Sequence, residues 1–293
     1  MPTRRRKKTQ KNYFRFTVFV IVVLLAAAGI FALVTHKKGS NTTAKTKTKT
    51  KTAVSTIKKK PKVAPVKKDP NPTNIPVLMY HSIAYEKGND LRVPPEKLRQ
   101  EFQIIKDNGF TPITLDELYS HFNDEVALPQ KPIVITFDDG YKDNCENALP
   151  VLKEFGFKAT VFVITCQTDD STDYMTSAQL KEMEANGIDV ECHTVTHPHL
   201  KDLSYDKQLV ELRDSKAKLE KILNKKINYI AYPYGSYNDD TVKLVQSLGY
   251  KMAFTTNEGQ ANKDQGIYTL DRMYISASNS LDYFKKQITG EIK

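Results

Sequence analysis

Two short polar segments carry residues of the kinds that hold metals and activate water. Thr136–Gly140 reads Thr-Phe-Asp-Asp-Gly after an apolar run, and His193–His197 reads His-Thr-Val-Thr-His after another. Three of the six histidines fall between positions 193 and 199. A hydrolytic metal site needs about three protein ligands, an open position for water and a base nearby. The two segments therefore supply candidate ligands and a candidate base.

The adjacent carboxylates Asp138 and Asp139 follow a predicted strand, where neighbouring side chains point in different directions. One can then bind a metal while the other faces the water. The alternative is a plain turn that caps the next helix. His193 and His197 stand four positions apart and reach one ion from a helical turn. Because the residue before a proline avoids helical geometry, Pro198 favours a loop or a single turn here.

Charge is divided unevenly along the chain. The first 70 residues hold 19 lysines and arginines and one acid, Asp69, whereas the other 223 residues hold 25 basic and 33 acidic side chains. The net charge of +10 therefore comes from the N-terminal part. The acidic remainder makes nucleic acid a poor candidate partner.

The stretch 16–34 is uncharged and almost wholly apolar. At 1.5 Å per residue, a helix of this length crosses a hydrocarbon core about 30 Å thick, so a transmembrane signal anchor is expected. Basic residues precede it, and the positive-inside rule keeps segment 1–15 in the cytoplasm and places the chain after residue 34 outside. A cleaved signal peptide is the alternative, because small residues such as Ala26–Ala28 offer a cleavage site.

Residues 35–74 form a linker rich in lysine, threonine and proline. Large apolar side chains are scarce, so folding cannot bury enough surface to offset the entropy lost on ordering. A disordered tether between the membrane and a domain at 75–293 is expected. Its like charges also favour attraction to anionic surface polymers or lipid head groups.

From residue 75 onward, short apolar runs alternate with amphipathic segments. The predicted strands are Val77–Tyr80, Ile133–Phe137, Thr160–Ile164, Ile188–Cys192, Ile227–Ala231, Met252–Thr255 and Tyr268–Ile275. The predicted helices are Pro95–Asn108, Asp116–Phe122, Asn144–Phe155, Ser177–Asn186, Ser204–Leu223, Asp239–Leu248 and Ser280–Ile288. This alternation predicts an α/β fold with a parallel sheet, and the number of repeats favours a closed barrel over an open doubly wound sheet. Functional residues then belong at the carboxyl ends of the strands, where both polar segments lie.

Both polar segments match motifs of the polysaccharide deacetylases of carbohydrate esterase family 4, which this chain resembles from residue 75 to 288. The sequence His-Pro-His-Leu continues the second match. The resemblance implies a distorted (β/α)7 barrel. It also implies that Asp139, His193 and His197 bind the metal and that Asp138 is the general base.

A third segment departs from the main pattern of that family. Ala231 stands where the family has an arginine that orients the catalytic carboxylate. The rest of the match implies that the Tyr234 backbone N–H helps to form an oxyanion hole. It also implies that Pro233 and Tyr234 contact the substrate. A turn filled by an aromatic side chain is the alternative interpretation.

The family's late acid histidine is missing, because no histidine follows His199. The early segment Ile-Pro-Val-Leu-Met-Tyr-His instead resembles the permuted branch that deacetylates poly-N-acetylglucosamine, in which His81 would protonate the leaving amine. A capping or core histidine is the alternative. The late Leu-x-Arg of that branch matches the segment ending at Arg272, which is hypothesised to pair with Asp138; a surface ion pair is the alternative.

The resemblance thus implies a metal-dependent N-deacetylase that releases acetate from extracellular or cell-wall polysaccharide, either poly-N-acetylglucosamine or peptidoglycan. The expected metal is Zn²⁺, with Co²⁺, Ni²⁺ or Fe²⁺ as alternatives. The enzyme is expected to be a monomer in the cell membrane with its catalytic domain outside, or secreted if the N-terminal segment is cleaved. An O-acetyl esterase and a catalytically weak carbohydrate-binding protein are the alternative functions.

Overall fold

The computed structural model describes residues 68–69 and 72–292. The predicted cytoplasmic segment 1–15, transmembrane helix 16–34 and most of the linker 35–74 lie outside the described residues and stay predictions. Among the residues that are described, no helix is both long enough and apolar enough to cross a bilayer. The structure presents the predicted C-terminal domain.

Parallel strands form the centre of this domain. Its strands are β1 (Lys68–Asp69), β2 (Asn74–Ile75), β3 (Val77–Tyr80), β4 (Thr111–Pro112), β5 (Leu128–Pro129), β6 (Pro132–Phe137), β7 (Thr160–Val163), β8 (Asp189–Cys192), β9 (Tyr229–Ala231), β10 (Met252–Glu258), β11 (Ala261–Asn262) and β12 (Leu270–Tyr274). Seven of them are parallel neighbours in the order β3-β12-β10-β9-β8-β7-β6, and β3 also pairs with β6. This last pairing closes the sheet. The predicted seven-stranded barrel is confirmed, and the open sheet is wrong.

The closing pair β3–β6 is in register from Val77 opposite Val134 to Tyr80 opposite Phe137. All residues of both strands are buried. Apolar, β-branched and aromatic side chains suit a parallel strand that is covered on both faces. Because β3 and β6 run side by side, the residues directly after them, His81 and Asp138, emerge at the same edge of the barrel.

Helices cover the outside of the barrel and return the chain between strands. They are α1 (Pro95–Asp107), α2 (Leu115–Asp124), α3 (Leu149–Phe155), α4 (Ser177–Ala185), α5 (Tyr205–Leu223), α6 (Asp239–Ser247) and α7 (Leu281–Thr289). Side chains of Thr114, Thr176 and Asn238 accept backbone N–H groups of the first turn and so cap α2, α4 and α6. Every predicted helix is present, and all but one begin and end within two residues of the prediction.

The exception comes after β6. The sequence predicts one helix over Asn144–Phe155, whereas the structure has a π-helical turn at Asn144–Ala148 and then α3. Pro150 has no N–H to donate to the preceding turn, so the regular ladder cannot extend backwards through it. The two-residue strands β1, β2, β4, β5 and β11 were also not predicted, because so short a segment has no visible periodicity.

Apolar side chains fill two layers. One lies between the barrel and the helices and includes Leu78, Phe102 and Leu212. The other fills the barrel itself. There Phe162 of β7 and Phe254 of β10 meet with ring centroids 5.8 Å apart, although their strands are not neighbours in the sheet. The barrel interior is therefore a packed core, and a site can form only at its end.

Candidate metal centre and active site

The two aspartates after β6 lie in a sharp turn. Asp138 still belongs to the ladder, because its N–H donates to the Tyr80 carbonyl at 2.9 Å. Asp139 and Gly140 take left-handed backbone angles, with φ of 73° and 79°. A Cβ atom at Gly140 would stand 3.2 Å from a side chain of β7, so this position suits glycine. Because of this turn, the neighbouring carboxylates of Asp138 and Asp139 point to different partners.

The loop after β8 presents two imidazoles. His193 is buried, and its Nδ1 lies 2.7 Å from the carbonyl oxygen of Ala231. A carbonyl can only accept, so Nδ1 carries the proton and the lone pair of Nε2 is left for a metal. Thr194 and His197 have left-handed backbones, and the Thr194 hydroxyl accepts the His197 N–H at 3.1 Å. The expectation of a loop in place of a long helix is confirmed.

Three ligand atoms converge between these loops. Oδ1 of Asp139 lies 3.4 Å from Nε2 of His193 and 3.4 Å from Nε2 of His197. Within the described residues this buried oxygen accepts no hydrogen bond, which costs free energy unless a cation compensates. Burial and the neighbouring His193 lower the pKa of His197 to about 4, so its ring is neutral at pH 7. Two imidazole nitrogens and one carboxylate oxygen fit a divalent transition metal.

A carboxylate on α5 fixes the backbone between the two histidines. Glu211 accepts the N–H groups of Val195 and Thr196, each at 2.8 Å, and the Thr196 hydroxyl at 2.6 Å. Such outer contacts orient metal ligands. The sequence reasoning missed Glu211, because a residue 15 positions from its partner leaves no local pattern.

Arg272 of β12 lies fully buried beneath the site. Its Nη1 and Nη2 donate to Oδ1 and Oδ2 of Asp138 at 2.7 and 2.6 Å. Its Nε donates to the Thr255 carbonyl at 3.0 Å, and Nη1 also reaches the Thr136 hydroxyl at 3.2 Å. The structure places Arg272 and Asp138 in contact, as hypothesised from the sequence, and the alternative of a surface ion pair is wrong.

This pairing decides the charge of Asp138. Burial by itself raises the pKa of a carboxyl group. Here the charge and the two hydrogen bonds of Arg272 outweigh burial and hold the pKa of Asp138 well below its usual range. Asp138 is therefore an ionised carboxylate inside the protein.

His81 comes directly after β3 and lines the same cleft. Its Nδ1 is buried and has no hydrogen-bond partner among the described residues. The ring meets that of Tyr274 edge-on, with centroids 6.1 Å apart. Burial lowers the pKa of His81, and the charges of Asp138 and Asp139 offset this only in part. The His81 ring is thus close to both aspartates, but no protein group among the described residues forms a hydrogen bond with its Nδ1.

The turn after β9 brings an aromatic side chain to the candidate metal ligands. Tyr234 has a left-handed backbone, and the residue is 57% exposed. The ring stacks on that of His199 with centroids 4.0 Å apart and lies 4.5 Å from the ring of His197. Pro233 is buried and is not among the residues that line the cleft, so its contact with substrate stays a prediction.

These residues share one cleft with a volume of about 620 Å³. Its walls are formed by Met79, His81, Leu91, Asp138, Asp139, Tyr141, Ile164, Tyr174, His193, His197, Tyr234, Thr256 and Tyr274. Tyr141 and Tyr174 stack with centroids 5.0 Å apart. Tyr141 directly follows the Asp-Asp-Gly turn, and this adjacency is the signal by which it could have been found.

The comparisons with known proteins agree with this geometry. A family model described as polysaccharide deacetylase matches residues 125–253. YxkH of Bacillus subtilis, which carries a polysaccharide deacetylase name, is 38% identical over 228 residues, covering 78% of this chain and 81% of that protein. The poly-beta-1,6-N-acetyl-D-glucosamine N-deacetylase of Staphylococcus aureus is 29% identical over 199 residues, covering 63% and 68%. The structure of the Streptococcus pyogenes deacetylase PplD in complex with acetate superposes with a TM-score of 0.71 at 37% identity, covering 74% and 99%.

The chain belongs to the polysaccharide deacetylase family. It is a hydrolase that acts on non-peptide carbon–nitrogen bonds, and the prediction of an enzyme of this class is confirmed.

Proposed function

We propose that the protein is a metal-dependent N-deacetylase of N-acetylglucosamine polymers outside the cell. The observation that carries the proposal is the meeting of two groups in one cleft. One is the ligand set of Asp139, His193 and His197, and the other is the carboxylate of Asp138 held by Arg272. Ligands, an adjacent base and an open approach are what metal-assisted hydrolysis requires.

Asp139, His193 and His197 would hold the metal. We propose Zn²⁺, with Co²⁺, Ni²⁺ or Fe²⁺ as alternatives, because this donor set suits each of them. When bound, the metal would polarise an acetyl carbonyl and lower the pKa of a water molecule. The Ala231 carbonyl already fixes the tautomer of His193, so the ligand nitrogen is set in advance.

Asp138 would take the proton of the attacking water. Both of its oxygens are held by Arg272, so its orientation does not depend on the substrate. Its lowered pKa keeps it ionised, and so able to accept a proton, at neutral pH.

The acetyl oxygen gains negative charge as the water oxygen bonds to its carbon, and the Tyr234 backbone N–H would donate to that oxygen. His81 would give a proton to the sugar nitrogen as the carbon–nitrogen bond breaks. The products are acetate and a free amine on the polymer. The negative charge that develops beside His81 favours its protonated form and so opposes the effect of burial on its pKa.

The walls of the cleft support a sugar polymer as the substrate. Tyr141, Tyr174, Tyr234 and Tyr274 line it, and aromatic rings offer flat apolar faces against which sugar rings can lie. The Staphylococcus aureus relative is named for poly-β-1,6-N-acetylglucosamine. We therefore propose poly-N-acetylglucosamine or peptidoglycan as the substrate of this chain.

The proposed location rests on the sequence pattern. The apolar stretch 16–34 would anchor the chain in the cell membrane, with segment 1–15 in the cytoplasm and the catalytic domain outside as a monomer. A basic linker at 35–74 would let this domain reach polymer in the wall or at the surface.

Acetate release from purified peptidoglycan, poly-N-acetylglucosamine and acetylxylan tests the function. We expect acetate from an N-acetylglucosamine polymer, loss of activity with a chelator and recovery with Zn²⁺. The Asp138→Asn variant is expected to lower kcat by about 100-fold or more. Acetate from acetylxylan alone would indicate an O-acetyl esterase. Glycan binding without acetate and without a metal requirement would indicate a binding protein.

A further inference from the structure

The π-helical turn between β6 and β7 holds the chain segment that carries His81. Nδ2 of Asn144 donates to the His81 carbonyl at 2.8 Å. In the residue before it, Oδ1 of Asp143 accepts the Ile83 N–H at 2.8 Å and Oδ2 accepts the Ser82 hydroxyl at 2.6 Å. Two adjacent side chains thus bond to three consecutive residues.

Further contacts fix the same segment. Nδ2 of Asn147, one turn later, donates to the Ile83 carbonyl at 2.7 Å. The Ser82 N–H donates to the Leu91 carbonyl at 3.2 Å, and the Ser82 carbonyl accepts the Val93 N–H at 3.0 Å. The backbone just after β3 is therefore bonded on both sides and has one position relative to the Asp-Asp-Gly turn.

The imidazole of His81 lacks comparable support. Its buried Nδ1 has no hydrogen-bond partner within the part of the chain that the structure describes, and the Tyr274 ring lies at 73° to it with centroids 6.1 Å apart. A histidine used in proton transfer is commonly oriented through its second nitrogen. The position of the His81 ring therefore depends on its backbone, which the π-helical turn holds.

Burying the Asn144 side chain costs free energy, and packing alone does not explain why an amide stands at this position. The residue is fully buried, and its Oδ1 accepts no hydrogen bond from the described residues. A buried amide with one unpaired end is less favourable than an apolar side chain of the same size. π-helical turns are also rare and are frequent at functional sites. Both observations favour a role in placing His81 over a role in stability.

We infer that Asn144 and Asp143 are positioning residues that set the distance from His81 to the sugar nitrogen, an inference that rests on the proposed function. The turn that supplies the base, Asp138, would then be continuous with the turn that places the acid. The base and the acid would then keep a fixed distance from each other.

The chemistry of the leaving group separates this role from a structural one. An N-acetyl group needs a proton on nitrogen before its amine departs, whereas 4-nitrophenyl acetate releases a stable phenolate without one. A misplaced His81 should therefore slow hydrolysis of the amide and spare that of the activated ester. Damage to the metal site or to Asp138 would slow both.

The experiment compares both substrates with Zn²⁺-loaded wild type, Asn144→Leu and His81→Ala. We expect Asn144→Leu to lower kcat for the N-acetylated oligosaccharide about tenfold or more, with KM within about twofold, and to change the ester rate less than about twofold. His81→Ala should give the same pattern with a larger amide loss. Equal losses on both substrates, or no loss on the amide, would overturn the inference.

Two further variants guard against a folding defect. Asn147→Ala removes the bond to the carbonyl of Ile83, two residues beyond His81, and should lower the same amide-to-ester ratio by a smaller factor. Asn108→Ala removes one amide-to-carbonyl bond at the end of α1, far from the cleft, and should leave both rates unchanged. A wild type that hydrolyses the ester but none of the N-acetylated polymers would contradict the proposed function and not the placement of His81.

Discussion

Asp138 and Glu101 are equally buried carboxylates, each 1% exposed, in two regions of the molecule. Asp138 stands at the end of the barrel, whereas Glu101 lies on α1 in the layer between helices and barrel. The pKa of Asp138 is held well below its usual range, while burial raises the pKa of Glu101 to about 7. Burial alone therefore does not decide whether a carboxylate stays charged.

The partners explain the difference. Asp138 receives two hydrogen bonds from one buried guanidinium. Glu101 receives one from the Tyr80 hydroxyl at 2.9 Å, and the ammonium group of Lys97 is 3.8 Å away. The donors of Lys97 go instead to three carbonyl groups in the segment 276–279. A nearby cation lowers the pKa of a carboxylate by its charge, and it does so more strongly when its donors also bond to that carboxylate.

Removing the guanidinium should have the largest effect. Arg272→Met leaves Asp138 buried without a partner, so we expect a loss of about 3–5 kcal/mol in the free energy of unfolding and a fall in kcat/KM of about 100-fold or more. Urea unfolding at pH 7 and acetate release measure the two effects.

Arg272→Lys is the matched control, since it keeps the charge but not the paired geometry. It should recover part of the stability and little of the activity. A Met variant as stable as wild type would mean that Asp138 does not need its partner.

A third carboxylate, Glu211, is held by backbone N–H groups and no cation among the described residues, and it extends the comparison. Glu211→Ala should free the loop between His193 and His197 and weaken Zn²⁺ binding about 10- to 100-fold. The Zn²⁺ affinity of Glu211→Gln should lie between those of Glu211→Ala and wild type. Calorimetric titration of the metal-free protein measures this affinity. The exposed Asp214 lies on the same helix, and Asp214→Ala should bind Zn²⁺ like wild type; equal weakening in both variants would contradict the role of Glu211.

The smallest effect concerns Glu101 and pH. Because its folded pKa is above its unfolded value, the folded state binds the proton more tightly, and stability falls as pH rises until the folded pKa of about 7 is passed. Between pH 6 and pH 8 the free energy of unfolding should drop by about 1 kcal/mol from this group. Comparing urea unfolding of wild type and Glu101→Gln isolates the contribution. A variant with the same pH dependence as wild type would show that Glu101 is ionised throughout.

Local patterns were enough for the barrel strands and for most helices, because apolar runs and capping residues act over a few positions. The candidate metal ligands were also suggested by the sequence, since His193, His197 and the Asp138–Asp139 pair come after predicted strands and parallel strands end at one edge. The family resemblance then assigned Asp139, and not Asp138, as the ligand. The number of repeats favoured a closed barrel, but the pattern did not show which strands pair to close it. Closure depends on β3 pairing with both β6 and β12, which are distant in sequence.

The supporting residues were hidden for a related reason. Glu211 and Asn144 bond to backbone groups 15 and 63 residues away, and backbone groups are the same at every position. No side-chain pattern marks such a contact. Arg272 could be suggested because a family resemblance named it, but its burial and its two bonds to Asp138 are properties of the folded chain.

The closing of the barrel by an early and a late strand has a consequence for biosynthesis. β3 stands between β6 and β12, and Arg272 arrives with β12, close to the end of the described chain. A nascent chain that stops before β12 would expose one edge of β3 and leave Asp138 unpaired. Such a fragment would have the candidate metal ligands but no partner to orient Asp138. Hydrolysis would therefore begin only after translation has delivered β12.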